Sequence, residues 1–143
     1  MNFEQLFSVA VGREMEAYEF YMSVAKKIKD PQVKIIFEQL SKEEMGHYEL
    51  LEKFRNDPTL IMKILPPSSD WKLAESEELP KLSIDMTPKD AIALAMKKEQ
   101  QAVEFYRSLA KTTNDPKAIN MFENLANMEL GHKRQLESAF IDI

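Results

Sequence analysis

The chain has 143 residues and a net charge of −5, with acidic and basic side chains mixed throughout. Such a surface argues against nucleic acid or an anionic membrane as a partner. There is no cysteine, so disulfides, thiolate chemistry and cysteine-ligated zinc or iron–sulfur sites are excluded. The opening MNFEQLFSVAVGRE has no basic residue ahead of its short apolar run, and Glu14 and Glu16 follow at once, so no signal peptide is expected. No apolar run approaches the roughly 20 residues of a membrane helix. A soluble, cytoplasmic protein is the expectation. Only three glycines occur, in a sequence rich in Glu, Lys, Leu, Ala and Met, which favours helix over strand.

Four helices are expected, over residues 3–28, 31–55, 88–112 and 116–140. The second starts at Asp30-Pro31 and the fourth at Asp115-Pro116, each an N-cap residue ahead of a proline at the first helical position. The third starts at Thr87-Pro88-Lys89-Asp90, with an acidic residue in its first turn. Between the second and third lie Pro58, Pro66, Pro67 and Pro80, Trp71, and the acidic stretch from Glu75 to Glu78. Prolines at that density rule out a continuous helix, and a loop of about 30 residues needs a reason inside a compact domain. If the second and third helices run parallel, the chain must return along the whole bundle. The fold class expected is therefore all-α: a four-helix bundle in one domain. It has a helical hairpin over 1–55, a crossover over 56–87 and a second hairpin over 88–143. The rival, two hairpins joined by a disordered linker, is disfavoured because a lone hairpin cannot bury its apolar stripe.

The halves repeat. At an offset of 85 residues, Glu14 falls on Glu99, Phe20-Tyr21 on Phe105-Tyr106 and Asp30-Pro31 on Asp115-Pro116. Phe37-Glu38 falls on Phe122-Glu123, Glu44 on Glu129, and Gly46-His47 on Gly131-His132. No gap is needed.

Helical periodicity gives each helix one seam. The first is Phe3, Phe7, Ala10, Glu14, Ala17, Tyr21, Val24, Ile28. The second is Val33, Phe37, Leu40, Glu44, His47, Leu51, Phe54. The third is Ile92, Ala95, Glu99, Ala102, Tyr106, Leu109. The fourth is Ala118, Phe122, Leu125, Glu129, His132, Leu136, Ala139. All are apolar at both ends, with a glutamate near the middle. The chain's only two histidines stand three residues after two of those glutamates. A buried unpaired carboxylate costs several kcal/mol, and no Lys or Arg lies on any seam. Two divalent ions would balance four carboxylates. Carboxylate oxygen with imidazole nitrogen suits iron, manganese or zinc, and a Glu-x-x-His pair presents both ligands on one helix face. Glu14, Glu44, His47, Glu99, Glu129 and His132 are thus the expected ligands of a dinuclear site. Gly46 and Gly131, mid-helix beside the histidines, suggest close approach of a neighbouring helix or side chain, although common descent of the halves explains them equally. The nine methionines are expected to be core filler. Glu16, Glu19 and Glu43 fall off the seams, and Trp71 is expected to pack the crossover onto the bundle or to mark a partner surface.

At these residues the chain resembles the ferritin-like superfamily, and within it the rubrerythrin-like di-iron carboxylate proteins. The motifs carrying the resemblance are Glu-x6-Tyr, as Glu14 to Tyr21 and Glu99 to Tyr106, and the two Glu-x-x-His pairs. The resemblance implies a ferritin-like bundle and a di-iron centre. Glu44 and Glu129 would bridge, Glu14 and Glu99 would be terminal ligands, and each metal would take one histidine. It also implies that Tyr21 and Tyr106 hydrogen-bond to ligand carboxylates; both residues are equally good core aromatics. Two departures matter. Rubrerythrins proper carry a further glutamate three residues after the third-helix ligand, where this chain has Ala102. They also carry a rubredoxin domain with four cysteine ligands, and this chain has none. Storage ferritins fit less well, since they lack the second Glu-x-x-His and use a fifth helix.

The expected function is that of a rubrerythrin-like di-iron oxidoreductase acting against oxidative stress. It would reduce peroxide or dioxygen with electrons from a separate donor protein such as a rubredoxin. Two irons giving one electron each suit the two-electron reduction of peroxide to water. The alternative is a non-catalytic protein that sequesters, carries or senses iron, manganese or zinc, a reading to which Ala102 lends support. A third is a hydroxylase or desaturase, which would need an apolar cavity beside the metals; the seam alanines leave room for one. A homodimer is compatible with the resemblance.

Overall fold

Side-chain caps set where the helices begin. A computed structural model describes residues 2–57, 59–60 and 63–143, and Pro58 of the proline-rich stretch lies outside them. The chain divides into two compact units, Met1–Ile61 with Ser83–Met86, and Met62–Leu82 with Thr87–Ile143.

The first unit is a hairpin of α1 (Phe3–Lys27) and α2 (Pro31–Asn56). Asn2 caps α1 in a reciprocal pair with Gln5: each side chain accepts the other's backbone N–H at 2.9 Å. Asp30 caps α2, accepting from the N–H groups of Gln32 at 2.8 Å and Val33 at 3.4 Å. Pro31, which has no N–H to lose, fills the first helical position. The helices run antiparallel. Phe3 lies 6.3 Å from Phe54 at one end, and Tyr21 lies 6.0 Å from Phe37 near the other. The seam residues of α2 are buried throughout, and those of α1 are buried apart from half-buried Phe3 and Ala17. Residues 83–86 join this unit through the Lys29 N–H, which donates to the Ile84 carbonyl at 3.3 Å.

The second unit is built on α4 (Pro88–Lys111) and α5 (Pro116–Asp142), preceded by a one-turn helix, α3 (Leu73–Ser76). Thr87 and Asp115 cap α4 and α5 as expected. Tyr106 stacks against Phe122 with ring centroids 6.3 Å apart. The prolines exclude a continuous helix in the connection, and it carries a single helical turn, α3. The connection is docked on the second hairpin by several polar contacts. Glu137 Oε2 accepts from the backbone N–H groups of Leu73 at 2.7 Å and Ala74 at 3.4 Å, satisfying donors at the start of α3. The Lys97 ammonium donates to the Ala74 carbonyl at 2.7 Å. Asn127 donates to the Ile64 carbonyl at 2.9 Å, and Asn124 accepts from the Ile64 N–H. The Arg134 guanidinium lies 3.2 Å from the centroid of the Trp71 ring. Trp71 therefore packs the connection onto α5, while 41% of it stays exposed.

This covering changes what a single seam implies. In α4 every residue from Ala91 to Met96 is buried, on all sides of the helix. In α5 the off-seam residues Lys133 and Glu137 are fully buried. The four main helices match the expected spans to within about two residues, the usual uncertainty of helix ends.

Candidate metal centre

Each hairpin gathers its own ligand candidates. In the first, α1 supplies Glu14 and α2 supplies Glu44 and His47. Donor atoms of all three lie within 4.8 Å of one another. His47 Nδ1 is 3.5 Å from Glu14 Oε2 and 3.9 Å from Glu44 Oε2. Both carboxylates are fully buried, and the imidazole nearly so. The one-turn spacing from Glu44 to His47 aims the two side chains the same way, and the antiparallel packing of α1 brings Glu14 to meet them.

In the second hairpin, α4 supplies Glu99 and α5 supplies Glu129 and His132. Donor atoms of His132 lie within 4.8 Å of those of Glu99 and of Glu129. Both glutamates are buried and His132 is half-buried.

The donor set fits a divalent metal. It combines hard carboxylate oxygens with imidazole nitrogen, on rigid helical supports, where anionic charge is costly unless a cation balances it. Tyr21 and Tyr106 are fully buried, seven residues after Glu14 and Glu99. Each also packs on the phenylalanine of the facing helix, as core aromatics do.

Two expectations need correction. The seams carry no lysine or arginine, yet the first ligand set does have a cation. Arg13, one residue off the seam, reaches round so that its Nη1 lies 2.9 Å from Glu44 Oε2 and 3.3 Å from Glu14 Oε1. A long side chain can carry its charge a third of the way round a helix, so seam position alone does not decide which charges meet. The sequence signal was there: a cation directly precedes the seam glutamate in both halves, as Arg13-Glu14 and Lys98-Glu99. The second correction concerns the glycines. A Cβ added at Gly46 or Gly131 would meet nothing within 4 Å among the described residues. No close approach among the described residues accounts for them.

Off the seams, Glu16 and Glu19 are exposed as expected, and Glu43 is half-buried. Of the methionines, Met86, Met96 and Met121 are buried. No helix among the described residues is long and apolar enough to cross a membrane.

Comparison with known proteins agrees with this picture. The rubrerythrin family matches residues 5–140, and the chain belongs to that family. Its all-α fold is that of a ferritin-like helical bundle. A solved structure, a hypothetical protein from Pyrococcus furiosus, is similar at 28% identity with a TM-score of 0.60. The match covers 99% of this chain and 89% of that one. No curated protein matches. The family implies binding of two metals, and each Glu/His set above has donors that could bind metal.

Proposed function

We propose that the chain is a di-iron carboxylate oxidoreductase that reduces peroxide or dioxygen with electrons from a separate donor protein, such as a rubredoxin. The observation that carries this reading is the pair of ligand sets. Each hairpin buries two glutamates and directs a histidine toward them. In this reading the two ligand sets account for the two metals that the family implies. Glu14, Glu44, His47, Glu99, Glu129 and His132 would hold the metals, with Glu44 and Glu129 as the shared carboxylates that the family resemblance implies. Two irons held there would supply the two electrons that, with two protons, take peroxide to two waters.

The chain's own residues do the rest. The anionic carboxylates favour the oxidised ion over the reduced one. The buried apolar seams on either side keep bulk water out and hold the ligands in place. Tyr21 and Tyr106 hydrogen-bond to ligand carboxylates and fix their orientation. The protein is proposed to work in the cytoplasm, where reduced donors are available.

One observation favours the alternative, a non-catalytic iron, manganese or zinc protein. The place of the additional rubrerythrin glutamate is held by Ala102, which is fully buried. The test is metal content per chain on protein purified without added metal, followed by anaerobic Fe(II) loading and one equivalent of peroxide. Two metals per chain, a visible band of oxidised iron and its bleaching by added donor are the results expected. Two metals that do not react with peroxide would establish the binding protein instead. Absence of metal, with Glu44→Gln and Glu129→Gln folding as well as the parent, would overturn both.

A further inference from the structure

We propose that Arg13 is a built-in counterion: its guanidinium holds the Glu14 and Glu44 carboxylates in the metal-free protein, and metal enters the first hairpin by displacing it. The inference rests on the metal reading above and adds a residue that the ligand motifs do not contain.

The geometry is that of a competitor. One nitrogen, Arg13 Nη1, contacts both carboxylates, at 2.9 Å and 3.3 Å. It thus bridges one oxygen from α1 and one from α2, as an ion between the helices would. Glu44 Oε2, the oxygen it holds most closely, is also the one that faces His47 Nδ1 at 3.9 Å. An oxygen that accepts a charge-assisted hydrogen bond from Arg13 offers less of its lone-pair density to a metal.

Charge favours the same exclusion. Arg13 neutralises one of two buried carboxylate charges, whereas a divalent ion neutralises both. With the ion in place, the guanidinium would bring excess positive charge into a buried site, and the two cations would repel. Arg13 has somewhere to go, because 20% of its side chain is already exposed, against none for either glutamate. Its flexible stem lets the head swing to water while the ligands stay where the helices hold them.

A merely structural arginine and a displaceable one differ in sign. Removing a structural ion pair weakens the apo protein and does nothing favourable for metal. Removing a competitor weakens the apo protein and tightens metal binding.

The experiment is anaerobic calorimetric titration of the metal-stripped chain with Co(II), for the parent, Arg13→Gln and Arg13→Lys. Arg13→Gln is expected to melt lower than the parent without metal, yet to bind Co(II) roughly tenfold or more tightly, the size of one lost charge-assisted hydrogen bond. Arg13→Lys keeps the charge but loses the planar fork, and is expected to fall between. Should Arg13→Gln fail to fold without metal, the parent carries the test. An arginine-specific dicarbonyl reagent, followed by peptide mapping, should label Arg13 faster once Co(II) is bound. Unchanged or weaker affinity in both variants, or labelling that Co(II) does not accelerate, overturns the proposal while leaving the metal site standing. Failure of the parent and both variants to bind Co(II) overturns the metal reading itself, and this one with it.

Discussion

The two hairpins come from one repeat and bury the same seam, yet they differ one face away from it. Eighty-five residues separate Tyr48 from Lys133, Glu52 from Glu137, Gln39 from Asn124 and Ser8 from Ala93. In the first hairpin these positions are half-buried or exposed; in the second all four are buried. The cause is the connection, which docks residues 64–75 against the second hairpin. The Lys133 ammonium shows what that does. It lies 2.8 Å and 3.0 Å from the two Asp70 oxygens and 2.7 Å from Glu75, both on the connection. Two copies of one sequence pattern thus have different polar interiors because a distant segment covers only one of them.

The largest effects should be shared by both copies. Phe37→Ala and Phe122→Ala each empty a fully buried seam position, and each should cost about 3–5 kcal/mol in urea unfolding. A much smaller loss for either would show that its seam is not packed as a core.

The next effect should separate the copies. Lys133→Met strands Asp70, Glu75 and Glu137 without their cation, and about 3 kcal/mol should be lost. Limited proteolysis should then cut within residues 64–80. The repeat-related Tyr48→Met should change stability by less than about 1 kcal/mol and leave the connection protected. Equal losses in the two variants would mean that the lysine pins nothing.

Acidity and alkalinity probe the same tether. Burial pulls the Asp70 carboxyl up, but the hydrogen bonds from Lys133 and the Lys72 backbone outweigh it and hold it below its ordinary value of 3.8. Burial pulls the Lys133 ammonium down, but hydrogen bonds to Asp70 and Glu75 outweigh it and hold it above its ordinary value of 10.5. A depressed carboxyl stabilises the fold above 3.8 and loses that contribution as pH falls through the folded value. A raised ammonium stabilises it below 10.5 and loses that contribution as pH rises through the folded value. Amide exchange at residues 72–74, corrected for intrinsic rate, should therefore show flat protection between those limits. Protection should fall beyond either one. In Lys133→Met the alkaline edge should disappear and the acid edge should shrink, because the Lys72 backbone still donates to Asp70.

The smallest effect is a gain. Gly46→Ala and Gly131→Ala place a methyl group in open space within a helix, and each should stabilise by about 0.5–1 kcal/mol in thermal unfolding. A loss at Gly131 alone would reveal crowding peculiar to the second hairpin.

Periodicity and the repeat made the seams legible, and with them the burial of Glu14, Glu44, Glu99 and Glu129 on four long helices. Proline and cap residues made the helix starts legible, since Asp30, Thr87 and Asp115 act on their own first turns. Asn2 with Gln5 carried the same kind of local signal for α1. Arg13 was harder to read, because a seam argument follows Cβ directions and a guanidinium travels far from its Cβ.

The sequence by itself determined the helices, their seams and which side chains could be ligands, because those depend on neighbours within a turn or two. Only the tertiary structure decided the company those side chains keep: Arg13 between Glu14 and Glu44, and Lys133 enclosed by Asp70, Glu75 and Glu137. The decisive contacts, Arg13 with Glu44 and Lys133 with Asp70, join residues 31 and 63 positions apart. A local pattern cannot specify them, because they arise only where packing brings separate segments together and shuts water out.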